Sequence, residues 1–194
     1  MTMANTRIGC IVLAAGAGSR FGSDKRVAHY GASTLLEYTL RSIPPVFAKQ
    51  VLVLRPGDEV LARRFAPEWE VVYAADAARG MGHSLAAAIQ RASDWTGAVI
   101  ALADMPSIQP ATYAAVKDAT AAADSLVVPH YRGERGNPVG IGRAYFAELA
   151  RLEGDQGARA LLQQHAAAVI KLEVDDPGIL RDIDTPEALD AADQ

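Results

Sequence analysis

The sequence predicts an α/β fold in three layers, with a mostly parallel sheet covered by helices on both faces. Three observations point there. Short β-branched or Leu-rich runs alternate with longer Ala-rich segments of helical period, the mark of successive βα units. Half of the 194 residues are hydrophobic, which lets a chain of this size bury about 70% of its unfolded surface as one domain over residues 1–194 without covalent staples. Helix starts carry capping residues where such units need them.

In chain order, strands are expected at Ile8 to Leu13, Val51 to Leu54, Val71 to Tyr73, Ala98 to Leu102, Ser125 to Val128 and Val169 to Val174. Helices are expected at Thr34 to Ser42, Glu59 to Phe65, Ser84 to Ala92, Ala111 to Ala123, Arg143 to Arg151, Ala158 to His165 and Pro186 to Ala192. Thr34 with Glu37 reads as a capping box. Thr185 before Pro186 puts a hydroxyl at the N-cap and a proline at the first helical position, where no amide donor is missed. Pro129, Gly133, Gly136 and Pro138 crowd one short stretch that reads as an exposed hairpin or loop, and a lobe boundary would fall near Pro129.

Composition excludes several classes of function. A net charge of −4 with no basic block leaves nothing to make the phosphate contacts of a nucleic-acid binder. No apolar run approaches the roughly 20 residues that span a bilayer, and Ile8 to Ala15 is too short and too glycine-flanked for a signal peptide. Cys10 is the only cysteine, which rules out a disulfide framework and a cysteine zinc site and fits a cytoplasmic location.

The first strand runs directly into Leu13, Ala14, Ala15, Gly16, Ala17, Gly18, Ser19, Arg20, Phe21, Gly22, Ser23, Asp24 and Lys25. Three glycines let backbone amides converge on one point, and Arg20 and Lys25 add cations, a combination that suits a polyphosphate. The plainer reading is a glycine-rich βα turn with two solvated basic residues. Two familiar phosphate loops fail by count: Phe21 stands where a dinucleotide fingerprint needs its third glycine, and no Gly-Lys-Ser/Thr follows at Walker spacing.

Asp104 ends the strongest buried run, Val99 to Pro106, and a carboxylate outside the carboxyl end of such a strand points into the ligand site of an open α/β sheet. A second acidic pair, Asp182 and Asp184, would face one side if that stretch is extended. Either could instead complement a helix dipole, most readily Asp184 beside its cap. Gly80, Met81, Gly82, His83 and Ser84 open a helix whose free amides and hydroxyl could read a base or sugar, or serve as an ordinary N-terminus. Asn137 and Pro138 could floor a substrate pocket or form a turn. Arg159 falls in the first turn of a helix, where it opposes the dipole. His29, His130 and His165 lack the spacing of metal ligands, and no G-x-S-x-G nucleophile elbow is present.

The blocks Leu13 to Lys25, Gly80 to Ser84, Leu102 to Pro106, Gly136 to Pro138 with Gly154 to Arg159, and Asp182 to Pro186 together resemble the molybdenum cofactor nucleotidylyltransferases across nearly the whole chain. They look most like the cytidylyltransferase branch, because Ala14 and Ala15 stand where guanylyl relatives usually read Ala-Gly-Gly. The resemblance implies a Rossmann-like, nucleotide-diphospho-sugar transferase-like fold, CTP and molybdopterin as substrates, Mg²⁺ as cofactor and a molybdenum hydroxylase as recipient of the product. It implies that Leu13, Ala14, Ala15, Gly16, Ala17 and Gly18 wrap the nucleotide with Gly80, Met81 and Ser84. Arg20 and Lys25 would act with Asp104 in catalysis, and Asp104, helped by Asp182 or Asp184, would hold the metal. The acceptor would lie against Asn137, Pro138, Asp155 and Arg159. One departure stands out: relatives often carry an asparagine ahead of the Gly-Met pair, where this chain has Tyr73, Ala74, Ala75 and Asp76.

The expected reaction is attack by a phosphate monoester on the α-phosphorus of the nucleotide, which needs no general base because the monoester is largely dianionic near pH 7. Other readings of the residues are a guanylyltransferase, a transferase to a sugar phosphate or methylerythritol phosphate, and a non-catalytic chaperone that carries the cofactor.

Overall fold

The computed structural model describes residues 6–16, 18, 21–66 and 68–192. In chain order it contains β1 (Ile8–Leu13), β2 (His29–Tyr30), β3 (Ser33–Thr34), α1 (Leu35–Ser42), β4 (Gln50–Leu54), α2 (Glu59–Phe65) and β5 (Glu70–Tyr73). There follow α3 (Met81–Ile89), β6 (Gly97–Leu102), α4 (Pro110–Ala119), β7 (Leu126–Tyr131), β8 (Glu134–Arg135) and β9 (Val139–Gly142). The chain closes with α5 (Phe146–Leu149), α6 (Ala158–Gln164), β10 (Val169–Glu173) and α7 (Pro186–Ala192). Short 3₁₀ turns join several of them, including one at Lys25–Val27.

The main sheet has the order β10-β7-β9-β6-β1-β4-β5, with the short β8 paired to β7. β1 lies parallel to both β4 and β6, and all six of its residues are buried, as expected of a strand covered on both faces. Alternate residues of β1 enter different cores. Ile11 and Leu13 join Leu85, Ala88, Leu149 and Leu161, from α3, α5 and α6. Cys10 and Val12 join Leu36, Leu40, Phe65, Tyr113 and Val116, from α1, α2 and α4. Two cores, one on each face, make three layers.

The expected caps are present. Glu37 N donates to Thr34 Oγ1, while the Glu37 carboxylate accepts from the Thr34 amide, so α1 opens with a full capping box. Ala188 N donates to Thr185 Oγ1 at 3.2 Å at the start of α7.

Three differences from expectation have physical reasons. β9 is a central strand, antiparallel to both β6 and β7, where the sequence predicts no strand. Its Gly140 is required by close packing, since a Cβ there would sit 2.0 Å from Thr120 Oγ1 at the end of α4, and the same glycines dilute the strand signal. The stretch around Pro129 does form an exposed hairpin at its tip, turning through Arg132 and Gly133 at positive φ, but Pro129, Gly136 and Pro138 are buried. Pro129 sits in β7 past the end of its pairing with β9 at Val127, and its carbonyl still accepts from Gly136 N at 2.9 Å. Helix α3 begins at Met81, three residues before the expected Ser84, because Gly80 supplies a left-handed cap that no side-chain signal announces.

Candidate active site

From β1 the chain goes to β4 and β5 on one side, then crosses over to β6 on the other side of β1. The crevice outside the carboxyl ends of β1 and β6 is therefore the topological switch point, where open α/β sheets bind ligands. The glycine loop leaves β1 there, and Asp104 follows β6.

Lys25 Nζ donates to Asp104 Oδ2 at 2.6 Å, to Asp184 Oδ1 at 2.8 Å and to the Ile183 carbonyl at 3.1 Å. Three chain segments, far apart in sequence, thus meet at one ammonium. A small apolar cluster of Phe21, Tyr30, Leu35, Ile183 and Leu189 packs the C-terminal segment against the loop and α1. Phe21, the residue that breaks the dinucleotide fingerprint, contributes its buried ring to that cluster. Ile183 N also donates to the Asp104 carbonyl at 2.9 Å, so the backbone itself brings Asp184 beside Asp104.

Burial works against the Lys25 charge, but the Asp104 and Asp184 carboxylates outweigh it, so the ammonium titrates above the ordinary lysine value. Asp104 is pushed above the usual carboxylate range, chiefly by burial, with Lys25 pulling the other way. Its second oxygen, Oδ1, is buried with no hydrogen-bond partner among the described residues. An orphaned carboxylate oxygen beside a second carboxylate suits a hard divalent cation, which takes one or two carboxylates and completes its shell with phosphate oxygens and water. Among the described residues no group of three or more Asp, Glu, His or Cys is placed to hold a metal without such help.

The crevice opens into a cavity of about 570 Å³ whose lining includes Leu13, Ala14, Ala15, Gly16, Gly18, Lys25, Gly80, Met81, Ser84, Asp104, Asp155 and Asp184. Gly80 caps α3 with φ of +126°, and a Cβ there would lie 2.3 Å from the Gly154 backbone and 2.6 Å from Asp155 Oδ1. Only glycine allows the α3 N-terminus and the 154–155 segment to close this wall. A second cavity of about 390 Å³ shares Leu13, Met81 and Leu102 with the first and continues to Arg135, Asn137, Gln156 and Arg159 over an apolar floor of Ile100, Val139 and Leu162. No carboxylate lines it among the described residues.

Most of the residues expected at the nucleotide site are therefore gathered in one place, while Ala17 and Arg20 lie outside the described residues. The four expected acceptor residues divide. Asn137 and Arg159 line the second cavity, Asp155 lines the first, and Pro138 is buried behind Asn137 without lining either. Asp182 is exposed and lines neither cavity, so of the acidic pair it is Asp184 that faces Lys25. Sequence reading missed Arg135, which carries no motif of its own and joins the cavity only through the β7–β8 hairpin. It also missed Arg26, whose side chain is buried beneath the loop.

The sheet order and its helical layers are those of the nucleotide-diphospho-sugar transferase-like fold. Residues 10–169 match the MobA-like NTP transferase domain, and the chain belongs to that family. It is 31% identical to purine catabolism protein PucB of Bacillus subtilis (strain 168), over 93% of each chain. The crystal structure of Rv0371c from Mycobacterium tuberculosis H37Rv superposes with a TM-score of 0.85 at 33% identity, covering 98% of this chain and 99% of that one. The same mycobacterial protein has been solved in complex with manganese, and that structure superposes with a TM-score of 0.80 at 31% identity, covering 97% of this chain and 98% of that one. Molybdopterin-guanine dinucleotide biosynthesis protein A from Archaeoglobus fulgidus shares the fold, with a TM-score of 0.70 at 20% identity over 95% of this chain and 96% of that one. No described helix is long and apolar enough to cross a membrane.

Proposed function

We propose that the protein transfers CMP from CTP to the terminal phosphate of molybdopterin, releasing pyrophosphate, as a single cytoplasmic nucleotidyltransferase domain. The observation that carries this reading is the Lys25 ammonium held between Asp104 and Asp184 at the mouth of β1 and β6, with a second, arginine-bearing cavity opening off the same walls. The triphosphate lies along the glycine loop, against Gly16 and Gly18, and the base and sugar lie toward Gly80, Met81 and Ser84. The acceptor occupies the second cavity, with Asn137, Arg135 and Arg159 around it and Asp155 at the junction. The Ala14–Ala15 pair, which resembles the cytidylyl branch, supports CTP as the donor.

A phosphate oxygen of the acceptor attacks the α-phosphorus in line. The new P–O bond forms as the bond from the α-phosphorus to the bridging oxygen breaks, and the electron pair leaves with pyrophosphate. The monoester is already ionised at neutral pH, so the chain's task is to position two anions and to neutralise developing charge. Lys25 stays cationic through the reaction and, once it turns from the carboxylates to the α-phosphate, stabilises the crowded oxygens. Asp104 and Asp184 would hold Mg²⁺, which when bound screens the phosphates and polarises the α-phosphoryl group. A molybdenum hydroxylase would consume the product, a setting consistent with a relative named for purine catabolism.

Incubation with Mg²⁺, molybdopterin and each nucleoside triphosphate in turn tests the reading by pyrophosphate release. CTP should be the best donor. Faster release with GTP would make the chain a guanylyltransferase, and release with a sugar phosphate but not molybdopterin would reassign the acceptor.

A further inference from the structure

Beneath the glycine loop lies an ion cluster, built around the buried Arg26, that lines neither cavity. Arg26 is 4% exposed, and every N–H of its guanidinium has an acceptor. Nε donates to Asp24 Oδ1 at 2.8 Å, and Nη2 donates to Asp24 Oδ2 at 2.6 Å and Asp58 Oδ1 at 2.9 Å. Nη1 donates to Asp58 Oδ2 at 2.5 Å and to the Ala14 carbonyl at 2.9 Å. Asp58 also accepts from the Arg55 amide at 2.9 Å, and Arg55 Nη2 donates to Asp24 at 3.1 Å. One side chain thereby joins the start of the loop at Ala14, its end at Asp24, and the turn between β4 and α2.

Ideal Cβ atoms on Gly16 and Gly22 would meet nothing within 4 Å, so no neighbour crowds the backbone at these two positions. Phe21 anchors the loop through its apolar cluster, and the Arg26 guanidinium holds the two ends at Ala14 and Asp24. Stability alone does not account for the cluster, because replacing buried ion pairs with packed apolar groups is often neutral or stabilising. A bidentate, planar guanidinium does supply geometry that an apolar residue cannot.

We propose that Arg26 is a positioning residue: it clamps both ends of the glycine loop to the β4–α2 turn and so fixes the loop amides and the neighbouring Lys25 for the phosphates of the nucleotide. This rests on the nucleotidyltransferase reading of the adjoining crevice. Arg26 acts through Ala14, Asp24 and Lys25 and does not touch substrate.

The test compares the wild-type full chain with Arg26→Lys, which keeps the charge without the fork, and Asp58→Asn, which keeps the volume and loses half of the clamp. Amide hydrogen exchange is followed by mass spectrometry, and CTP binding in Mg²⁺ by calorimetry, with kcat and KM for CTP measured alongside. Exchange over residues 14–24 should quicken by about tenfold while β1 and β4 keep their protection. CTP affinity should weaken by about tenfold, about 1.4 kcal/mol, with KM rising more than kcat falls. Unchanged loop exchange in both variants overturns the proposal, as does exchange that rises equally in β1 and β4, faster loop exchange with unaltered CTP affinity, or failure of both variants to fold. If the wild-type chain binds no nucleoside triphosphate, the functional reading fails separately, and the exchange contrast still decides whether Arg26 holds the loop.

Discussion

Lys25 Nζ and Asp104 Oδ2 lie 2.6 Å apart although 79 residues separate them in the chain. One follows β1 and the other β6, and the parallel pairing of those strands puts both at the same edge of the sheet. Lys25→Ala and Asp104→Asn leave both hydrophobic cores untouched, so both variants should fold. Their pyrophosphate release should fall by about 10²-fold or more, the scale on which one preorganised electrostatic contact contributes to a transition state. Steady-state assays on folded variants check this, and near-wild-type rates would count against the assigned roles.

Gly80 closes one wall of the first cavity at a φ of +126°, with the Gly154 backbone where a Cβ would go. Gly80→Ala should lose about 1–3 kcal/mol of stability, from strained backbone and forced displacement of residues 154–155. Because those residues line the crevice, the KM for nucleotide should rise as well. Urea unfolding and steady-state kinetics check the two effects, and an alanine variant of unchanged stability would mean that the contact yields freely.

The Arg26 cluster gives stability a pH dependence of defined sign. Hydrogen bonding from Arg26 lowers Asp24 below its ordinary value of 3.8, and at Asp58 the bonds from Arg26 and Arg55 outweigh the opposing effect of burial. Folded values below unfolded ones give stabilisation that is present above the unfolded pKa and lost as pH falls through the folded values. Burial moves Asp104 the other way, so the cluster's share is isolated by Asp58→Asn. Thermal unfolding should show a smaller fall in Tm between about pH 7 and about pH 3 for the variant than for the wild type. Equal falls would show that Asp58 is not depressed.

Arg135 and Arg159 are the cations lining the second cavity among its described residues. Arg135→Ala and Arg159→Ala should each raise the KM for the phosphate acceptor by about tenfold and leave the KM for CTP nearly unchanged, as expected for groups that bind one substrate only. Initial rates at varied acceptor and varied CTP separate the two. A rise confined to CTP would move the arginines to the donor side.

The sequence made the layered α/β architecture legible because apolar runs and capped helices are local signals. Thr34, Glu37 and Thr185 could be read from spacing alone. Asp104 was legible for a similar reason, since it follows a buried strand within two residues, and Lys25 because it closes the glycine-rich loop that leaves β1. β9 was not, because Gly140 and Gly142 answer to packing against the end of α4, and that demand erases the β-branched pattern of a strand. Arg26 escaped for the opposite reason: a basic residue beside Lys25 looks solvated, and only the return of Asp58 across the β4–α2 turn buries it. The choice of Asp184 over Asp182 depended on the Ile183 amide bonding to the Asp104 carbonyl, a long-range contact with no local signature.

A crystal structure with Mg²⁺ and a non-hydrolysable CTP analogue decides whether the crevice at Lys25 is where the nucleotide binds. The triphosphate should lie along residues 14–25, with its α-phosphate beside Lys25 and the cation on Asp104 and Asp184. Nucleotide bound elsewhere, with Lys25 still joined to both carboxylates, would contradict it.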